Sequence, residues 1–168
     1  KYLAAIMNIL LISTRPSSDS GGGMARLVYE LADALAGRHR VLFMHPGAEN
    51  RLTLPQPGRP GTLLLRSFGS GDIYVPDLRA SSWRWLMAAL NGFKPDVIHA
   101  QDFSAYAALA QDWALSHNLP FLLTLHLLPT RLMAAGAEEQ PMLVRLLGGG
   151  STFRHLVLRF LQRSTAMT

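Results

Sequence analysis

From Ile6 to Ser13 the chain is nearly continuous in apolar residues, over a stretch too short for a helix, and it then passes into Ser, Asp and Gly. That is how a parallel strand buried on both faces reads. From Met24 to Gly37 the period changes. Leu27, Val28, Leu31 and Leu35 recur at helical spacing, Arg26, Glu30 and Asp33 fall among the polar positions, and Gly37 supplies a stop. Arg40 to Met44 predicts a second strand, and the stretch from Pro46 to Gly61 is too rich in Pro and Gly to sustain helix or sheet, predicting a long surface loop.

Thr62 to Arg66 predicts a third strand, broken by Gly69, Ser70 and Gly71. A helix follows from near Ser81 to near Gly92, with Trp83, Leu86, Met87 and Leu90 as its buried stripe. Asp96 to Ala100 predicts a fourth strand, Ser104 to His117 an alanine-rich helix, and Phe121 to Leu125 a fifth strand introduced by Pro120. Strand and helix alternate, which implies right-handed crossovers and the α/β class: a Rossmann-like, doubly wound parallel sheet with helices on both faces. No internal repeat is found. Further on, Thr130 to Leu147 predicts helix with a weak point at Gly136 and Pro141, and Gly148 to Gly150 a hinge. A last helix is expected from Thr152 to Gln162, apolar along Phe153, Leu156, Val157, Phe160 and Leu161, with Arg154, Arg159 and Arg163 elsewhere. Such a helix either packs on its own sheet or lies on a membrane surface.

Composition narrows the chemistry. The 168 residues fit one domain, and with 49% hydrophobic and 16% charged residues the chain is globular rather than disordered. There is no cysteine, so disulfides, thiolate metal sites and cysteine nucleophiles are excluded, and a reducing cytoplasm is the expected location. The formal charge of +5 comes almost wholly from arginine, a residue whose planar fork of donors grips phosphate, although an ordinary basic surface accounts for it too. No nucleic-acid partner is expected. The run from Tyr2 to Ile12 is interrupted by Asn8 and has no small-residue cleavage site after it, so it reads as a strand rather than a signal peptide. No segment reaches the ~20 apolar residues a bilayer span needs. Arginine excess, Trp83, Trp85 and the last helix leave peripheral membrane contact as a separate hypothesis.

In open parallel sheets ligands bind beyond the carboxyl ends of the strands, near the point where strand order reverses. Three such loops carry chemistry. After the first strand, Gly21, Gly22 and Gly23 immediately precede a helix whose unpaired N–H groups and positive dipole end suit a phosphate or a sugar. The pattern is neither G-x-G-x-x-G nor a Walker A loop, which weighs against nicotinamide enzymes and P-loop ATPases, and the glycines would equally serve as turn residues. After the fourth strand comes Asp102, a helix cap or structural hydrogen-bonding group, or else a substrate contact; His99 still lies on the strand and reads as a core histidine. After the fifth strand comes His126, which can donate to hydroxyls or phosphate or accept a proton. With neither H-E-x-x-H nor a dense carboxylate cluster in the chain, no metal or other cofactor is expected.

Three segments together carry a resemblance that spans nearly the whole chain. They are Met7-Asn8-Ile9-Leu10-Leu11-Ile12 with Gly21 to Gly23 and Val28-Tyr29-Glu30-Leu31-Ala32-Asp33-Ala34-Leu35; then Lys94-Pro95-Asp96-Val97-Ile98-His99-Ala100-Gln101-Asp102; then Pro120-Phe121-Leu122-Leu123-Thr124-Leu125-His126. In order and spacing they resemble the N-terminal, acceptor-side domain of the family-four retaining GT-B glycosyltransferases. The resemblance implies one half of a GT-B fold, a nucleotide-sugar donor held mainly by a second domain expected beyond residue 168, and a hydroxyl acceptor. It implies that Gly22 and Gly23 lie against donor phosphate or acceptor, that His126 reaches the transferred sugar, and that Asp102 is an acceptor-side contact. The isolated domain is then expected to be inactive. Many members have Gly-Gly followed by Val-Glu or Val-Gln where this chain has Gly23-Met24-Ala25, and a second histidine where it has Gln101. A ligand- or partner-binding module without chemistry, and a sugar-nucleotide epimerase of the same fold, are the rival readings.

Overall fold

The computed structural model describes residues 5–14, 22–70, 73–126, 158–160, 162–164 and 166–167. Its centre is strand β1 (Asn8–Ile12). The continuous apolar run behaves as its pattern requires, because successive side chains leave opposite faces of a strand and both faces are covered. Leu10 and Ile12 point into a core shared with helices α2 (Ala80–Phe93) and α3 (Ala105–Ser116), whereas Ile9 and Leu11 point into a second core under α1 (Gly22–Ala36). Leu10, Leu11 and Ile12 have no exposed surface, and burying a side chain of this size contributes about 2 kcal/mol. Asn8, the polar interruption, fastens the strand's beginning: its amide nitrogen donates to the carbonyls of Phe93 and Lys94, and its backbone N–H to the Asp96 carboxylate at 2.7 Å.

The remaining strands are β2 (Arg40–Gly47), β3 (Arg51–Thr53), β4 (Gly61–Ser70), β5 (Ile73–Pro76), β6 (Val97–Ala100), β7 (Phe121–Leu123) and β8 (Ala166–Met167). The sheet order is β3-β4-β2-β1-β6-β7-β8, with β5 paired to β4. Every pairing from β4 through to β8 is parallel. Numbered by their order in the chain, those parallel strands run third, second, first, fourth, fifth, sixth, the doubly wound order whose direction of winding reverses between β1 and β6. The fold is therefore Rossmann-like α/β, with α1 on one face and α2 and α3 on the other.

One edge departs from expectation. The stretch from Pro46 to Gly61 is not wholly loop: β3 forms inside it and pairs antiparallel with β4, Leu52 opposite Leu63. Gly61 makes the turn into β4 so tight that a Cβ there would collide with the Thr53 carbonyl oxygen and the Pro55 ring. Nor do the glycines after Arg66 end β4. It continues to Ser70 and turns back through β5, Phe68 opposite Val75, with Gly69 at φ 133°, a backbone open to glycine. These are two pairings between neighbouring segments that local composition opposes, and the sheet is mixed at this edge rather than wholly parallel.

Two helical faces also shift. On α1 the buried positions are Ala25, Val28, Ala32 and Ala36, small residues that let the helix approach the sheet closely, while Leu27 is 51% exposed. On α2 they are Ser82, Leu86, Ala89, Leu90 and Phe93; Trp83 faces outward and the helix runs past Gly92 to a left-handed Lys94. The fifth strand stops at Leu123 rather than Leu125. The helix expected over 130–147, the hinge at 148–150 and most of the last helix lie outside the described residues. Of that last helix, the turn at 158–160 buries Phe160 edge-on against Phe103 and Phe121, and Arg163 pairs with Asp112 of α3, so this part packs on its own domain. Among the described residues no helix is long and apolar enough to cross a membrane.

Candidate functional site

Parallel register brings the carboxyl ends of β1, β6 and β7 into one row, with Ile12 beside Ala100 and Ala100 beside Leu123. Backbone bonds carry the alignment one step beyond the strands: Gln101 N–H donates to the Ile12 carbonyl, and Thr124 N–H to the Ala100 carbonyl. Ser13, Thr14, Gln101, Asp102, Thr124 and His126 thus sit on or just past one edge, at the switch between β1 and β6. Of the sequence-predicted residues, Asp102 and His126 belong to this row.

Asp102 is not the cap of the following helix. That role falls to Ser104, whose hydroxyl accepts from the Ala107 N–H. Asp102 instead reaches across the switch point: one carboxylate oxygen, Oδ2, accepts from the Thr14 N–H at 2.7 Å and from the Thr14 hydroxyl at 2.9 Å. The other oxygen, Oδ1, is buried and has no hydrogen-bond partner among the described residues. A carboxylate oxygen kept from water without a donor is costly, and the cost disappears when a ligand hydroxyl donates to it. Tyr106 in the first turn of α3 is wholly buried, bonds to the Ser67 hydroxyl on β4, and has its phenol pushed up to about 12, chiefly by burial and with a small contribution from the negative charge of Asp102.

His126 is held from the neighbouring strand end. Its Nε2 lies 3.1 Å from Gln101 Oε1, and the amide nitrogen of Gln101 lies 2.9 Å from His99 Nε2, which also meets the Thr124 hydroxyl at 2.9 Å. Gln101 is 2% exposed and so forms a bridge within the protein. Burial lowers the pKa of His99, and the neighbouring His126 lowers it further. His99 is thereby a satisfied structural histidine, as its place on the strand implied.

The glycine segment is only partly in view. Gly22 opens α1, at the same sheet edge by the order of the fold, and a side chain added at Gly23 would meet no atom within 4 Å. Packing does not demand glycine at position 23. Residues 15–21, Gly21 among them, lie outside the described residues. Thr14 and Gln101 are the site residues that sequence reasoning did not single out for a role; their signal was position alone, immediately after β1 and β6. Tyr106 gave no signal, since its partner Ser67 is brought to it by the extended β4. Among the described residues no group of three or more His, Cys, Asp or Glu side chains gathers as metal ligands would.

The sequence profile of Glycosyltransferase Family 4 matches residues 21–167. The chain belongs to glycosyltransferase family 4. The match begins at the glycine segment and continues through β8, so it covers Asp102 and His126 and leaves β1, supplier of Thr14, just before it. No curated protein matches the chain. As a family 4 domain it has the Rossmann-like α/β fold of a GT-B half, and its place is among the glycosyltransferases.

Proposed function

We propose that this family 4 domain forms the acceptor-side wall of a retaining glycosyltransferase that moves a sugar from a nucleotide-diphosphate donor to a hydroxyl acceptor, with a second domain holding most of the donor. The observation that carries the reading is the convergence of Asp102 and His126 on the β1/β6 switch point, where open α/β sheets bind ligands. The buried, unpartnered Oδ1 of Asp102 is an acceptor awaiting a donor, and an acceptor-substrate hydroxyl supplies one. His126 presents an imidazole to the same edge and would orient the transferred sugar. The N-terminus of α1, with Gly22 and Gly23 and no acidic residue in its first turn, would favour the departing diphosphate through backbone N–H groups.

Catalysis in this scheme is positioning and electrostatics. The bond from the anomeric carbon to the diphosphate breaks, the acceptor oxygen bonds to that carbon on the same face, and the acceptor proton passes to the leaving phosphate. Alone, the domain would be inactive, because donor and acceptor must meet between two walls.

The test is transfer by the full-length protein against a panel of nucleotide sugars, with product configuration read by NMR. A retained anomeric configuration is expected, together with a loss on the order of 100-fold in kcat/KM for His126→Ala at unchanged circular dichroism. An inverted product, or near-normal turnover of His126→Ala, would sink the reading.

A further inference from the structure

The bridge between the two histidines has a consequence for proton position, and it rests on the proposed role of His126. A carboxamide is bipolar, with one end that only accepts hydrogen bonds and one that only donates. Gln101 turns its oxygen to His126 Nε2 and its nitrogen to His99 Nε2. The ring nitrogen facing the oxygen must therefore carry a proton and the one facing the nitrogen must not. We infer that Gln101 is a positioning residue that fixes opposite tautomers in the two rings: His126 protonated at Nε2, leaving Nδ1 as its acceptor, and His99 protonated at Nδ1.

Four observations support the assignment. Gln101 is buried, so water does not compete for its amide. Its own backbone N–H is bonded to the Ile12 carbonyl, which anchors the side chain's origin in the central row of the sheet. His99 resists protonation through burial and through His126, in keeping with a neutral ring whose Nε2 accepts. Thr124 approaches that same nitrogen with a hydroxyl, a group able to donate to it. Among the described residues the titratable groups adjoining the bridge are His99 on β6, His126 after β7, and Asp102 on Gln101's own loop, whose Oδ2 is turned to Thr14.

The arrangement also couples the rings. Protonating His126 leaves its Nε2–H bond to Gln101 intact. Protonating His99 would set two donors face to face, and rotating the amide to relieve them would turn its nitrogen to His126 and displace the proton from Nε2 there. While His99 is neutral, a sugar hydroxyl meeting Nδ1 of His126 thus finds an acceptor when the His126 ring is neutral and a donor when it is charged. Sequence comparison with the family pattern marked position 101 as a departure from histidine; the geometry assigns it work that glutamine's two unlike ends perform.

The test is long-range 1H–15N NMR of the full-length protein labelled at histidine, above the titration of both rings. In the unaltered protein the expected spectrum shows His126 as Nε2–H and His99 as Nδ1–H. Gln101→Leu, similar in volume and apolar, should abolish the exclusive Nε2–H form of His126. Gln101→Glu keeps an acceptor for His126 and removes the donor to His99, so His99 should gain Nε2–H and titrate at higher pH. His99 already protonated at Nε2 in the unaltered protein, or unchanged ring spectra in Gln101→Leu, overturns the inference. A transfer assay separates it from the reading it rests on: kcat should fall by roughly tenfold or more in Gln101→Leu, with a displaced pH profile and with Gln101→Glu retaining more activity. The expected spectra with no sugar transfer by the unaltered protein would leave the tautomers established and defeat the transferase reading alone.

Discussion

The middle of the sheet and its β3-β4-β5 edge are built from the same chain by opposite means. In the middle, β1 lies between parallel neighbours with both faces covered, and its side chains from Leu10 to Ile12 have no exposure. At the edge, every residue of β3 is exposed, and pairing is antiparallel. Phe68, Val75 and Leu78 on or just beyond the β4–β5 hairpin remain largely open to solvent. The site residues stand on the buried middle, not on the edge. A carboxylate and an imidazole with the roles proposed for Asp102 and His126 need rigid strand ends beneath them, and rigidity follows from burial on both faces.

The comparison breaks first in the core. Leu10→Ala should cost about 3 kcal/mol of unfolding free energy in denaturant titrations, whereas Leu52→Ala on β3 should stay within about 0.5 kcal/mol. Equal losses would show that the edge is as tightly coupled as the centre. A larger edge effect is expected where backbone meets backbone. Gly61→Ala, whose methyl meets the Thr53 carbonyl and Pro55, should cost about 2 kcal/mol and raise amide exchange in β3 while leaving β1 protected.

Asp102→Ala probes the seam between the central strand ends. Losing the carboxylate leaves Thr14 without the partner of its N–H and hydroxyl, at a cost of about 1 kcal/mol, and exchange should rise at the Thr14 amide rather than in the sheet. The smallest expected effect is that of pH. His99 and His45 have pKa values lowered mainly by burial, so the unfolded chain takes up protons first as pH falls. Stability is then fully present above the ordinary histidine pKa of about 6.5 and declines below it. Denaturant midpoints at pH 7.5 and 5.5 should differ in that direction, and the difference should shrink in His99→Gln; a higher midpoint at pH 5.5 would refute the assignment.

Much of the middle was legible. The unbroken apolar run of β1, the helical spacing before Gly37 and the strand ahead of Gln101 and Asp102 all encode their structure within a few residues. Asp102 and His126 were found because ligand sites follow strand ends, a rule that needs only the element order. The edge was illegible because its reasons lie in the pairing of neighbouring segments rather than in the composition of either one. β3 exists through Leu52 lying opposite Leu63, and β4 runs past Gly69 because β5 returns along it; the local residues argue against both. Helix faces were half legible: the periodicity included Val28, which is buried, but it ranked Leu27 with it, whereas the positions that meet the sheet beside Val28 are Ala25, Ala32 and Ala36.

The sequence by itself determined the class of fold, the family, and the residue types available at each strand end, since these depend on local periodicity and on motif order. Tertiary structure decided the partnerships. Asp102 became a clasp on Thr14 with one oxygen unpaired among the described residues, and Gln101 became a bridge between His99 and His126, because hydrogen bonds depend on angles and ångströms between side chains that different strand ends bring together. A linear chain specifies those distances only once its sheet has closed.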